Sequence, residues 1–261
     1  MPVICIANQK GGVGKTTTVA ALAEGLSAHN KHILLVDWDP QASLTISFGI
    51  NPDKLKKTGY DALAATVRNN NDTSIKEVII KTSDHNIDLV PSNIELSQAE
   101  LDLVGAFTRE MILKDMLHSV RNEYDYVIID CLPSLGLLVI NALTAADKVI
   151  IPLQSDFLAM KGLVLLLSTI IRIQEKLNPN LEISGILFTM TQSRTLHSKE
   201  VIKVTKKAFG DTIRVFDAII PTTVRFKEAP AAGKSILTYA PNTDGANAYK
   251  LFTEEVLNEE S

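Results

Sequence analysis

Residues 3–20 read VICIANQKGGVGKTTTVA. An apolar run from Val3 to Ala7 enters a glycine-rich loop, and a helical pattern from Thr16 to Ala28 leaves it. Strand, loop and helix in that order are the context a phosphate-binding loop requires. Gly11, Gly12 and Gly14 let backbone amides come close to phosphate oxygens, and with Val13 they curl the chain around them. The helix N-terminus adds partial positive charge, Lys15 is placed to reach β- and γ-phosphates, Thr16 to ligate Mg²⁺, and Thr17 to extend the cradle. Lys10 stands apart, because the general pattern leaves its position free. Inside its own subunit it would sit beside Lys15 and need a separate anion. The alternatives are an outward orientation, toward the nucleotide of a second subunit, and a solvated loop lysine.

Strand-length apolar runs recur at Ile33–Val36, Ile87–Val90, Tyr126–Ile129, Lys148–Pro152, Ile183–Leu187 and Ile213–Ile219. Helical patterns separate them at Asn93–Val104, Thr108–Asn122, Phe157–Leu177, Ser198–Phe209 and Asp244–Leu257. That alternation predicts an α/β fold, a mostly parallel twisted sheet with helices on both faces. Most runs lack polar alternation, as strands covered on both sides do. No repeat or Pro/Gly/Ser linker divides the chain, so residues 1–261 read as one domain.

Ligands of such sheets bind outside the carboxyl ends of the strands. Two acidic sites fall there. Asp130 ends the Tyr126–Ile129 run and fits a carboxylate holding Mg²⁺ through water. The segment Asp37-Trp38-Asp39-Pro40-Gln41 ends the second strand, and with Trp38 between them in an extended segment the two carboxylates are not expected both to face the phosphate. Asp39 is expected to position the attacking water or complete the metal shell. The competing role for either aspartate is to cap the helix after Pro40. Trp38, between them, is expected in a loop that rearranges with nucleotide.

Composition narrows the classes further. With 46% hydrophobic and 21% charged residues the chain has ample material for one core, which excludes disorder and fibrous architectures. The apolar stretch Gly162–Ile171 is about half of what a membrane span needs. The first residues lack the basic and long apolar regions of a secretory signal, which predicts a cytoplasmic protein. Cys5 and Cys131, far apart in sequence, make neither a disulfide framework nor a CxxC site. The net charge of −4 argues against nucleic-acid binding, yet residues 194–227 carry +5 and the rest −9. Within Ser198–Phe209, helical geometry gathers Lys199, Lys203, Lys206 and Lys207 into roughly 100° of arc. The same geometry sets Val201, Ile202, Val204, Ala208 and Phe209 opposite. With Arg194, Arg225 and Lys227 flanking it, this face is a candidate DNA surface, against the alternative of an ordinary solvated helix face.

KGGVGKTT with Lys10, DWDPQ from Asp37, DYVIIDCLPSLGLLVINAL from Asp125, IPLQSD from Ile151 and TVRFKEAPAAGKSI from Thr223 together resemble the ParA/Soj group of deviant Walker A ATPases. That group partitions chromosomes and plasmids, and the likeness runs from Val3 to about Leu257. It implies an ATP-sandwich homodimer in which Lys10 crosses to the partner's phosphates. It further implies ATP and Mg²⁺ as cofactors, with Lys15, Thr16, Asp39 and Asp130 as phosphate, metal and hydrolysis residues. The ATP dimer would bind double-stranded DNA non-specifically, on the nucleoid, and a ParB-like centromere-binding partner would stimulate hydrolysis. Arg194 in QSRT and Arg225 match the group's DNA-contacting arginines.

Leu132-Pro133 replaces the group's two prolines, and Pro221-Thr222-Thr223 replaces its Pro-Arg-Asn. Only nine residues precede Lys10, so an N-terminal helix-turn-helix domain is not expected. A MinD-like membrane role needs a basic amphipathic C-terminus, whereas this chain ends in TEEVLNEES. A metal-cluster carrier like nitrogenase iron protein needs cysteines bridging a dimer, and only Cys131 is placed for that. A ParA relative that positions a protein cargo on the nucleoid is the alternative function, since its ATPase and DNA surfaces would look alike.

Overall fold

The computed structural model describes residues 2–69, 72–192 and 195–259. Within them, β1 (Val3–Ile6), β2 (Ile33–Trp38), β3 (Ile80–Lys81), β4 (Ile87–Val90), β5 (Tyr126–Cys131), β6 (Lys148–Gln154), β7 (Glu182–Thr191) and β8 (Val215–Pro221) form one sheet. Its order is β3-β4-β2-β5-β1-β6-β7-β8, parallel throughout except where the short edge strand β3 runs against β4. The helices are α1 (Lys15–Ala28), α2 (Ser43–Ser47), α3 (Gly59–Val67), α4 (Ile75–Val78), α5 (Ala99–Val104) and α6 (Ile112–His118). After them come α7 (Leu137–Ala145), α8 (Phe157–Lys176), α9 (Leu196–Phe209), α10 (Arg225–Ala231), α11 (Ile236–Tyr239) and α12 (Asp244–Asn258). No helix among the described residues is long and apolar enough to cross a membrane.

Alternation along β1 builds a core on each face of the sheet. Val3, Cys5 and Ala7 pack with α3 and α5–α8, while Ile4 and Ile6 pack with α1 and α12. β1 lies between β5 and β6, so the loop after β1 opens beside the ends of both. From β1 the chain proceeds to β2 on one side and later to β6, β7 and β8 on the other, which makes this boundary the topological switch point of the sheet.

The structure departs from the sequence reading in several places. The helical pattern at Thr108–Asn122 yields α6 and a 3₁₀ turn at Arg121–Glu123, and Asn93–Val104 breaks into a 3₁₀ turn over Ile94–Gln98 followed by α5. The nearly uniform apolar sequence of α7 leaves no polar face to give a helical period. α3 carried a legible signal, a capping box between Thr58 and Asp61. Trp38 is no loop residue: it is fully buried at the end of β2, and its Nε1 donates to the Leu138 carbonyl at 3.1 Å. Cys5 and Cys131, distant in sequence, become buried neighbours with Sγ atoms 3.2 Å apart because β1 and β5 are adjacent.

α1 and α12 pack at very close range. A Cβ on Gly25 would fall 2.2 Å from Oγ1 and 2.9 Å from Cγ2 of Thr253. One turn and more earlier, Thr18 Oγ1 and Tyr249 Oη share a 3.0 Å hydrogen bond. Gly25→Val is therefore expected to destabilise the fold by roughly 1–3 kcal/mol through overpacking. At about 2–4 °C per kcal/mol for a domain of this size, thermal unfolding by circular dichroism should shift down by several degrees. An unchanged or raised midpoint would mean that the two helices separate without cost.

Candidate functional site

The loop between β1 and α1 is held open by two glycines. Gly12 (φ 71°) and Gly14 (φ 86°) occupy the left-handed region, where a side chain is strained, and Gly14 is the N-cap of α1. Other strand ends fix the rest of the loop. Thr189 Oγ1 on β7 donates to the Val13 carbonyl at 2.7 Å, and Asn8 Nδ2 donates to the Pro152 carbonyl of β6 at 2.7 Å. Lys15 curls beneath the loop, its Nζ donating to the carbonyls of Asn8 (3.0 Å) and Lys10 (3.1 Å). Burial pushes this ammonium below the ordinary lysine value, with Asp130 opposing the shift. A cavity of about 390 Å³ opens here, lined among others by Gly14, Lys15, Thr16, Asp39, Met190 and Pro230. Sequence reading gave no reason to single out Asn8 or Thr189. They act through neighbouring strands, and the left-handed Met190 (φ 50°) closes one wall of the cavity.

A larger cavity of about 760 Å³ lies at the far end of α1. There Glu24 accepts from Ser235 and Thr238, Asp84 from Ser27, and Glu254 pairs with His29. Its acidic groups are satisfied by one another's neighbours, so volume alone does not mark the reactive site.

The three aspartates divide their roles. Asp37 and Asp130 face each other in register on β2 and β5, both essentially inaccessible to solvent. Asp37 accepts from the backbone N–H (2.8 Å) and Oγ1 (2.6 Å) of Thr45, anchoring the first turn of α2. Burial is the main cause that pushes its pKa up to about 7. Asp130 is likewise raised, first by burial and then by the Asp37 charge. Its Oδ2 accepts from Thr16 Oγ1 at 2.7 Å, whereas its buried Oδ1 has no hydrogen-bond partner among the described residues. A buried carboxylate with an orphan oxygen, beside a hydroxyl at the mouth of a phosphate loop, suits a hard divalent cation. Asp39 is half-buried, lines the cavity, and accepts from the Gln41 N–H at 2.9 Å. The helix-anchoring role weighed for this pair thus falls to Asp37, and the cavity-facing one to Asp39.

Lys10 does not line the cavity. Its Nζ donates to Asp156 Oδ2 at 2.5 Å and to Gln154 Oε1 at 2.8 Å, so the separate anion it needs is present in its own subunit.

The basic segment is partly organised. Lys199, Lys203, Lys206 and Lys207 are all exposed on α9 and make no ion pair among the described residues. The opposite side is narrower than the sequence reading has it. Ser198, Val201 and Thr205 are buried and Ile202 and Phe209 half-buried, but Val204 (45%) and Ala208 are exposed, because a helix at the sheet edge covers only a thin stripe. Arg225 is exposed and paired with Glu228 at 2.7 Å, Lys227 is exposed, and Arg194 lies outside the described residues. Arg214 is tied to Glu255 and Glu259 and stacks on Phe216. Ile202 and Phe209 pack on the α8 side of the sheet and Phe226 on the α12 side, so α9 and α10 cover opposite faces. Each begins just past the end of its strand, and there the Thr222 N–H donates to the Thr191 carbonyl at 3.2 Å.

The family model described as an AAA domain matches residues 1–183. The sporulation initiation inhibitor protein Soj of Bacillus subtilis is 44% identical over 254 residues, 97% of each chain. The chromosome partitioning protein ParA of Caulobacter vibrioides is 41% identical over 260 residues, covering 99% of this chain and 94% of its own. A solved structure described as cobyrinic acid a,c-diamide synthase from Mycobacterium smegmatis, with bound ADP and magnesium, superimposes with a TM-score of 0.86 at 37% identity. It covers 100% of this chain and 95% of its own.

The paired carboxylates carry a pH signature. A carboxyl whose folded pKa is raised binds a proton in the native state that the unfolded chain has already released. Stability is therefore full below about 3.9 and declines until pH passes the folded value. For Asp37 that window closes at about 7. Without nucleotide, the unfolding midpoint should fall between about pH 4.5 and 7, and Asp37→Asn should flatten the decline. Parallel curves for both proteins would show that the carboxylate is not strained.

Proposed function

The chain belongs to the AAA-domain family, in its Soj/ParA branch of partitioning ATPases, and from that premise we propose that it is a Mg²⁺-dependent ATPase that segregates DNA. The observation that carries the proposal is convergence: the phosphate loop and Asp39 line one cavity, and Asp130, from a third strand end, is hydrogen-bonded to the Thr16 hydroxyl on its wall. Backbone amides of Gly11, Gly12, Val13 and Gly14, with the start of α1, hold the β- and γ-phosphates. Lys15 leaves the carbonyls of Asn8 and Lys10 for the phosphate oxygens, a stronger charge-assisted partner. Thr16 and Asp130 would hold Mg²⁺, which would neutralise phosphate charge. Asp39, on the cavity wall, orients the attacking water.

Two subunits close face to face, and Lys10 of each reaches the phosphates of the other. No arginine lines the cavity among the described residues, and intrinsic turnover is slow until a ParB-like partner stimulates it. The ATP dimer binds duplex DNA through phosphates, using the exposed lysines of α9 with Arg194, Arg225 and Lys227. Pairing doubles these contacts on one rigid body, so ATP switches DNA binding without touching DNA. Release follows hydrolysis and separation of the subunits, on the nucleoid within the cytoplasm.

Lys10→Ala is expected to keep ATP binding, because Lys15 remains, and to abolish ATP-dependent pairing and hydrolysis. Equilibrium sedimentation with a non-hydrolysable ATP analogue reads this directly, and a normal dimer would sink the trans role of Lys10. For DNA, each phosphate neutralised contributes about −0.9 to the slope of log affinity against log salt. Changing Lys199 and Lys203 together to alanine removes four contacts per dimer, flattening the slope by up to about 3.6 while pairing persists. The DNA reading fails if the wild-type ATP dimer has no salt-sensitive affinity for random-sequence duplex.

A further inference from the structure

Lys10 is held by a built acceptor pair. β6 neighbours β1, so its last residue, Gln154, and Asp156 just beyond it stand beside the phosphate loop. Both acceptors are fixed independently of Lys10. Asp156 is the N-cap of α8, its Oδ1 accepting from the Ala159 N–H at 2.7 Å. Gln154 Nε2 donates to the Gly12 carbonyl at 3.1 Å and to Met190 Sδ at 3.2 Å. α8 also presses on the loop beside Lys10, where a Cβ on Gly162 would come within 3.0 Å of Gln9 Nε2. The lysine therefore meets a prepared site in its own subunit, and its side chain is kept out of the phosphate cavity.

We propose that Asp156 is a positioning residue that parks Lys10 in the free subunit, so that ATP-driven pairing must exchange the Asp156 contact for the partner subunit's phosphates. The proposal rests on the trans role of Lys10 given above. It makes the resting state a competitor of the dimer: the carboxylate and the partner's phosphates bid for one ammonium. Asp156 and Lys10 are each more than one-third exposed, at 37% and 38% of the side chain, so their contact lies in the modest range of surface ion pairs. Such a pair corresponds to a factor of about 1.4 to 5 in an equilibrium constant. Two subunits each give up one contact, so the factor enters twice, and the lock weakens the dimer by about 2- to 25-fold.

Asp156→Asn tests it. Asparagine is as good an N-cap as aspartate, so α8 keeps its first turn while the charge that holds Lys10 disappears. Sedimentation equilibrium with a non-hydrolysable ATP analogue and Mg²⁺ should give a dimer dissociation constant about 2- to 25-fold lower than wild type. Asp156→Ser, which also caps, should shift it in the same direction. An unchanged or higher constant in both overturns the lock. In a Lys10→Ala background Asp156→Asn should change nothing. A tighter dimer there would place the effect elsewhere than Lys10 and equally overturn it. If Lys10→Ala alone dimerises like wild type, the trans role itself has failed. A lost Lys10→Ala dimer with no tightening by Asp156→Asn means only the lock has failed.

Discussion

Two buried carboxylates held side by side at the ends of adjacent parallel strands set the terms for the rest of the molecule. Asp37 and Asp130 are opposite each other in register, and neither reaches solvent. Burying like charges together is unfavourable unless protons or cations compensate, and both groups accordingly have raised pKa values. Protein donors answer one of them: Thr45 supplies two hydrogen bonds to Asp37. Among the described residues Asp130 receives only the Thr16 hydroxyl at Oδ2, and its other oxygen is left for something from outside. The fold thus stores an unmet electrostatic demand at the point where the phosphate loop begins.

That demand is met from several strands at once because of the order of the sheet. β1 delivers the loop, β5 delivers Asp130, and β2 delivers Asp37 and then Asp39. On the other side, β6 brings Gln154 and Asp156 within reach of Lys10, and β7 brings Thr189 and Met190 against the loop backbone. The same geometry connects the nucleotide site to its surroundings. Trp38, one residue beyond Asp37, donates to the Leu138 carbonyl of α7. Glu100 accepts from the N–H groups of Leu137 and Leu138 at the start of that helix, which follows the loop after Asp130. A shift at either aspartate therefore meets the start of α7.

The basic surface is more loosely coupled. The α9 lysines project from a helix at the sheet edge, and Arg225 begins a helix on the opposite face. Both helices begin just past the ends of the neighbouring strands β7 and β8, where the Thr222 N–H donates to the Thr191 carbonyl. Lys199 therefore stands nearer the strand-end side of α9 than Lys206 and Lys207, which lie about 10 Å farther along it at 1.5 Å per residue. The charges that sequence reading groups as one segment form a ridge with one end at the site face.

From its order of residues alone the chain declared its parallel sheet, its phosphate loop, and Asp39 and Asp130 at strand ends. These are local signals: apolar runs of strand length, glycines where amides must approach, and an acid at the end of an apolar run. The lysine stripe of α9 was legible for the same reason, since helical periodicity is a short-range property. What only the tertiary structure decided depends on which strands become neighbours. Sequence reading expected only one of Asp37 and Asp39 to face the phosphate, but the Thr45 contact is what ties Asp37 to α2 and leaves Asp39 on the cavity wall. Cys5 met Cys131, and Lys10 met Asp156, across more than a hundred residues because β1 lies between β5 and β6. No periodicity encodes such pairings, for they follow from the packing of the whole sheet.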